Sequence, residues 1–104
     1  MTAPVRSDAA ATSVRLRLPG VLAEHAGGQR AIAIEPVPAT VGELLADLED
    51  EYPRLCRRLR DETGALRRHV NVFVDGENVR YGAGLATELK PGCEVQVLPS
   101  VAGG

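Results

Sequence analysis

The last two residues, Gly103 and Gly104, carry no Cβ, and Val101 and Ala102 precede them. Without Cβ atoms a chain end takes backbone angles closed to other residues and passes through a channel too narrow for side chains. The group at its tip is a carboxylate, ionised at neutral pH because a C-terminal carboxyl titrates near ~3.3. A carboxylate on a narrow stalk suits an enzyme that activates carboxyl groups with ATP. Chance is the competing account, since two terminal glycines arise in about 0.5% of chains and chain ends often lack fixed structure. The placement argues against chance, because Gly-Gly follows directly on the β-like run Glu94-Val95-Gln96-Val97-Leu98 and Pro99-Ser100.

Other residues that could do chemistry are scattered. His25 and His69 are far apart, without the spacing of metal ligands, and no metal site is expected. Cys56 and Cys93 form no Cys-x-x-Cys pair, and both read as packed free thiols. Gly82-Ala83-Gly84-Leu85-Ala86 begins like a dinucleotide fingerprint, but no third glycine follows and no βαβ unit surrounds it. Arg54, Arg57, Arg58 and Arg60 read as a solvated helix face, or as a surface for an acidic partner.

The elements that must position the tail follow from periodicity. Val14-Arg15-Leu16-Arg17-Leu18 alternates apolar and basic, as a half-buried strand does. Pro19-Gly20 ends it, Gly27-Gly28 marks a loop, and Ala31-Ile32-Ala33-Ile34 alternates again until Pro36 and Pro38. Thr40-Val41-Gly42-Glu43 fits a capping box, and Val41, Leu44, Leu45 and Leu48 then fall on one helical face. Pro53 stops that helix and suits the first turn of a short second one, with Leu55 and Leu59 inward. Val70–Val74 is a strand, Asp75-Gly76 a hairpin turn, and a short strand is expected near Asn78-Val79-Arg80. One helical turn is expected within Leu85–Leu89, a type II turn at Pro91-Gly92, and a last strand over Cys93–Leu98.

The order β-β-α-(short α)-β-β-β gives one amphipathic helix to cover a mixed sheet. The fold class expected is α+β, a β-grasp or ubiquitin-like fold with a flexible C-terminal Gly-Gly tail. Its first and last strands lie side by side in parallel. The expected organisation is a disordered lead-in over 1–13, the β-grasp domain over 14–98 and a flexible tail over 99–104.

Composition narrows the function. At 104 residues, 44% hydrophobic and 25% charged, the chain suits one soluble domain. A formal net charge of -2 gives no pull toward nucleic acid or anionic membrane. Phe73, Tyr52 and Tyr81 are the only aromatics, too few for a base-stacking platform. No apolar run spans a bilayer, and Met1–Ser13 has no apolar core like that of a signal peptide. The expectation is a cytoplasmic protein.

The sequence resembles the MoaD/ThiS family of ubiquitin-like sulfur carriers. The resemblance lies in Glu24-His25-Ala26-Gly27-Gly28-Gln29, Thr40-Val41-Gly42-Glu43-Leu44, Val70-Asn71-Val72-Phe73-Val74 and, most specifically, Pro91-Gly92 through Val97-Leu98-Pro99-Ser100-Val101-Ala102-Gly103-Gly104. It covers about residues 13 to 104. Within the family, Gly84-Leu85-Ala86-Thr87 and the Val-Ala-Gly-Gly end look most like the CysO type of actinobacteria. The resemblance implies that an E1-like (MoeB/MoeZ-like) adenylating and sulfurtransferase enzyme uses MgATP to adenylate Gly104. A sulfur donor then leaves a Gly104 thiocarboxylate, which passes its sulfur to a biosynthetic enzyme. Gly103, Ala102 and Val101 would give access, and the chain itself would bind no cofactor. It would be a co-substrate rather than an enzyme, or the small subunit of one. The implied acceptors are cysteine synthesis with a JAMM-type peptidase to release the product, molybdopterin synthesis, thiamin synthesis, or a sulfur-containing secondary metabolite.

Alternation sets the two sheet faces. Leu16, Leu18, Val70, Val72, Val95 and Val97 should face the helix. Arg15, Arg17, Asn71, Phe73, Glu94, Gln96 and Leu98 should lie opposite. On that polar face Phe73 and Leu98 form an apolar pair expected to be exposed, a candidate docking point for the adenylating enzyme. Two other functions compete. One is a modifier joined through Gly104 to lysines of other proteins. Lys90 is the only lysine here, which excludes chains linked through several internal lysines. The other is a binding module whose Gly-Gly is incidental.

Overall fold

Alternation builds the first hairpin. Val14–Arg17 (β1) buries Val14 and Leu16 and turns Arg15 and Arg17 outward. It pairs antiparallel with Ala31–Ile34 (β2), from Val14↔Ile34 to Arg17↔Ala31. Val70–Val74 (β3) turns back through Asp75-Gly76 into Glu77–Asn78 (β4). Both turn residues have positive φ, 49° and 89°, as an Asp-Gly hairpin turn requires. Glu94–Pro99 (β5) completes the sheet. In the computed structural model, which describes residues 12–99, the strand order is β2-β1-β5-β3-β4. β5 runs parallel to β1, with Leu16↔Val95, and antiparallel to β3, with Val72↔Val97. This is the mixed β-grasp sheet expected, with its first and last strands adjacent.

The helical layer covers one face. Gly20–Ala23 (α1) runs into a 3-10 turn at Glu24–Ala26; Val41–Glu51 (α2) and Pro53–Leu59 (α3) follow. α2 is the main helix. The Thr40 hydroxyl accepts the Glu43 amide at 3.2 Å, and the Glu43 carboxylate accepts the Ala39 amide at 3.2 Å. The capping box thus closes one residue further out than the usual N-cap amide. Val41, Leu44, Leu45 and Leu48 are buried against Leu55 and Leu59 of α3 and the inner valines of β3 and β5. Residues 84–89 strap the start of α2 through Val41 N–H to Thr87 O (3.0 Å) and Leu89 N–H to Ala39 O (3.0 Å).

Three local expectations are corrected. The stretch between Pro19-Gly20 and Gly27-Gly28, given no element in the expected order, is α1 and its 3-10 turn, which bury Leu22, Ala23 and Ala26. Gly27, left-handed at φ 68°, ends it. The expected strand over Asn78-Val79-Arg80 stops at Asn78 and becomes a 3-10 turn, Val79–Tyr81. There the Asn78 side chain accepts the Arg80 amide at 2.9 Å, a local bond that competes with strand pairing. The helical turn expected within Leu85–Leu89 is a single 3-10 turn at Gly84–Ala86.

Candidate tail-presenting site

Strand register decides where β5 ends. In the β3–β5 ladder Val70 stands opposite Pro99 and Val74 opposite Val95. The final residue of β5 therefore lies at the beginning of β3. Because β5 is parallel to β1, that end of the sheet is also where β1 finishes and α1 begins. Val101, Ala102, Gly103 and Gly104, the tail residues singled out above, lie outside the described residues.

The backbone around this end is held by arginine. One Arg80 Nη atom donates to the carbonyls of Arg67 (3.2 Å), Arg68 (3.5 Å) and Val70. The turn into β3 is closed as well by Val70 N–H to Arg67 O at 3.0 Å. Arg67 ties it to α3, its Nε donating to the Arg57 carbonyl at 2.8 Å and its amide to Leu59 O at 2.9 Å. Sequence reasoning missed Arg80, because a guanidinium that binds backbone carbonyls has no motif. The one available signal was a cationic residue just after an Asp-Gly hairpin.

The open sheet face is arranged as alternation implied. Arg15, Arg17, Asn71, Phe73, Glu94, Gln96 and Leu98 lie on it, while Val70, Val72, Val95 and Val97 are buried beneath. Arg17 and Glu94 pair at 3.2 Å, both partly in solvent, so the pair adds little to stability. Asn71 is opposite Leu98 and Phe73 opposite Gln96, which makes Phe73 and Leu98 diagonal neighbours on one face. They are half-buried, not exposed as expected, because alternation assigns a face without saying what covers it. The exposed large apolar side chains among the described residues are Tyr81 and Val21. Val21 is on α1, at the tail end.

The residues discounted for chemistry sit as structural groups. Burial pushes the Cys56 thiol up to about 11, only partly offset by Arg60. Its Sγ lies 3.4 Å from Leu45 O. Burial also raises Cys93. Neither thiol is poised as a nucleophile. Among the described residues no group of His, Cys, Asp and Glu could hold a metal ion, and no helix is long and apolar enough to cross a membrane.

The described residues thus end at Pro99, at the end of the sheet where β3 begins and β1 finishes. A model of the ThiS family matches residues 16–104. The chain belongs to the ThiS family. It is 39% identical over 94 residues to the sulfur carrier protein CysO of Mycobacterium tuberculosis, covering 88% of this chain and 99% of that one. Among solved structures, the Amycolatopsis orientalis BexX/CysO complex matches with a TM-score of 0.78 and 37% identity over 88% of this chain and 99% of that one. SAMP1 of Haloferax volcanii matches with a TM-score of 0.73 and 34% identity over the same shares, 88% and 99%. These ThiS-family likenesses extend across the sheet, the helices and the end of β5.

Proposed function

We propose that this ThiS-family chain is a sulfur carrier whose reactive group is the Gly104 carboxylate. The observation that carries the reading is the register that ends β5 opposite Val70, five residues before Gly104. Kinship with proteins named sulfur carriers supports it. In this reading an E1-like enzyme of the MoeB/MoeZ type transfers AMP from MgATP to Gly104, releasing pyrophosphate. A carboxylate is a poor acyl donor until so activated; sulfide then attacks the adenylate carbonyl and displaces AMP, leaving a thiocarboxylate. Gly103, Ala102 and Val101 let the tip enter the enzyme. Phe73 and Leu98 dock the sheet face, and the carrier catalyses nothing itself.

The acceptor in this reading is a biosynthetic enzyme that takes the thiocarboxylate tip, as a cysteine, molybdopterin, thiamin or secondary-metabolite enzyme would. A JAMM-type peptidase frees the carrier where sulfur transfer leaves a product attached. The relative seen in complex with BexX supports a protein partner. The place of action is the cytoplasm, where MgATP is supplied.

The test is intact-protein mass spectrometry of the chain incubated with MgATP, a MoeZ-like adenylating enzyme and sulfide. The expected result is the mass gain of one oxygen replaced by sulfur, abolished by deleting Gly104. A folded chain that stays at its original mass would overturn the reading.

A second reading, conjugation through Gly104 to lysines of other proteins, is favoured by the likeness to a protein named as a small archaeal modifier. It shares the adenylate and departs after it. Isopeptide-linked conjugates in a lysate, in place of thiocarboxylate, would select it.

A further inference from the structure

The tail end of the molecule is cationic in a way that helix stability does not explain. α3 carries Arg54, Arg57 and Arg58 in full solvent. Together with His25 of the 3-10 turn they line a cleft of about 310 Å³ whose walls contain no carboxylate. None of the three arginine side chains has an ion pair among the described residues, whereas Arg17 and Arg60 are each paired. Arg57 and Arg58 occupy the last turn of α3, where a cation complements the helix dipole. Arg54 does not. It sits in the first turn, directly after Pro53, where a cation opposes the dipole, and it has no carboxylate to compensate. The chain as a whole is formally -2.

The fold carries this cleft toward the end of the sheet where β5 finishes. α3 packs on α1 and on the 3-10 turn bearing His25, and these follow β1 at the end where β5 finishes. From its other side α3 is tied through Arg57 O and Leu59 O to Arg67, three residues before Val70, the partner of Pro99. Arg68 and His69, both exposed, stand between. Most exposed carboxylates of the helical layer are on α2, at Glu43, Asp47, Glu49, Asp50 and Glu51, while Glu24 adjoins His25 and Arg57 also borders a second cleft with Glu49, Asp61 and Glu62.

We propose that the His25–Arg54–Arg57–Arg58 cleft is a second docking site, on the helical side of the molecule and separate from the sheet face. It receives a carboxylate-bearing segment of the enzyme that activates the tail. This rests on the carrier reading above and adds a partner surface to it. The tail brings a carboxylate toward MgATP, itself anionic, so the two reactants repel at encounter. A cationic cleft beside the tail, matched by carboxylates outside the enzyme's nucleotide site, turns the carrier tail-first and holds it there. Five residues beyond Pro99 reach at most about 17 Å, so an enzyme that holds the tip lies against this end of the carrier.

The test compares wild type with the triple variant Arg54→Glu, Arg57→Glu, Arg58→Glu in MgATP-dependent thiocarboxylate formation by a MoeZ-like enzyme. The triple Gln variant is the milder second arm, and urea unfolding confirms that both fold. The expected result is a KM for the carrier raised ~10-fold or more with kcat unchanged, the Gln variant lying between. Wild-type kcat/KM should fall as salt is raised, and that slope should flatten in both variants. An unchanged KM and salt slope in folded variants would overturn the docking site while wild-type activation leaves the carrier reading standing. A raised KM for MgATP instead would place the arginines on the nucleotide and overturn the proposal as well. Wild type that gains no sulfur would fail the carrier reading and remove this partner with it.

Discussion

Val70 and Pro99 face each other across β3 and β5, and this pair joins the mouth of the tail to the turn that Arg80 holds. Any disturbance of residues 67–70 therefore reaches the last fixed residues of β5. Core packing alone does not secure that turn, because Arg68 and His69 are exposed. Its geometry rests on the carbonyls gathered by Arg80 together with the Val70 amide bond to Arg67 O and the ties of Arg67 to α3.

Replacing Arg80 by Ala should accordingly loosen the tail end more than the sheet. The lost bonds involve a charged donor, so stability should fall by ~1–3 kcal/mol in urea unfolding. Amide exchange should quicken at residues 67–70 and at Leu98 ahead of β1 and β2. Arg80→Lys, with a single ammonium in place of a planar fork, should recover part of the loss. Uniform quickening throughout the chain would show that Arg80 acts globally.

Leu98→Asp should impair tail activation and leave the fold intact. Leu98 is half-buried on the polar face, opposite Asn71, so a charge there costs the monomer about 1 kcal/mol or less. An enzyme surface packed on Leu98 would lose an apolar contact and gain a buried charge, lowering kcat/KM ~10-fold or more. A variant with wild-type unfolding and wild-type activation would remove Leu98 from the docking surface. Phe73→Ala, tested alongside, should act in the same direction because the two residues share a diagonal.

The sheet was legible because its residues alternate without interruption. Val14 to Leu18 and Glu94 to Leu98 bury every second side chain, as Val70 to Val74 does at Val70 and Val72, and parity alone sorted the two faces. α2 was legible for the same reason at helical spacing, with Thr40 and Glu43 marking its start. α1 was hidden because Gly20–Ala23 is one turn long and offers no period to read. Pro19 and Gly27 bracket it, yet the same residues also bracket loops. Val79 looked like a strand residue because it is apolar, but a side-chain bond from its neighbour Asn78 drew the backbone into a 3-10 turn. The burial of Phe73 and the grip of Arg80 depend on what the fold brings near them, and local pattern does not carry that.

Thr40→Ala tests the start of α2. The Thr40 hydroxyl satisfies one free amide of the first turn, so its loss should cost ~1 kcal/mol. Glu43→Ala should cost less, since its carboxylate takes the exposed Ala39 amide, which water can satisfy. Because both residues close one structure, the double variant should lose less than the sum of the singles, as read by urea unfolding of all four proteins. Strict additivity would show that the two bonds form independently.

Cys56 predicts a pH dependence. Desolvation raises its pKa in the folded chain from 9.0 to about 11, the nearby Arg60 lowering it in part. Below pH 9 the thiol is neutral in both states and ionisation does not affect stability. Above pH 9 the unfolded chain ionises first, so stability falls as pH rises and is fully lost to this group past about pH 11. The total is ~2–3 kcal/mol by linkage. Urea unfolding at pH 8 and again near pH 11 should show a steeper loss for wild type than for Cys56→Ala, whose own cost is a pH-independent cavity. The same burial predicts that iodoacetamide at pH 8 labels Cys56 only after unfolding. Equal pH slopes in the two proteins, or ready labelling of the folded chain, would mean that the thiol meets water despite its place between α2 and α3.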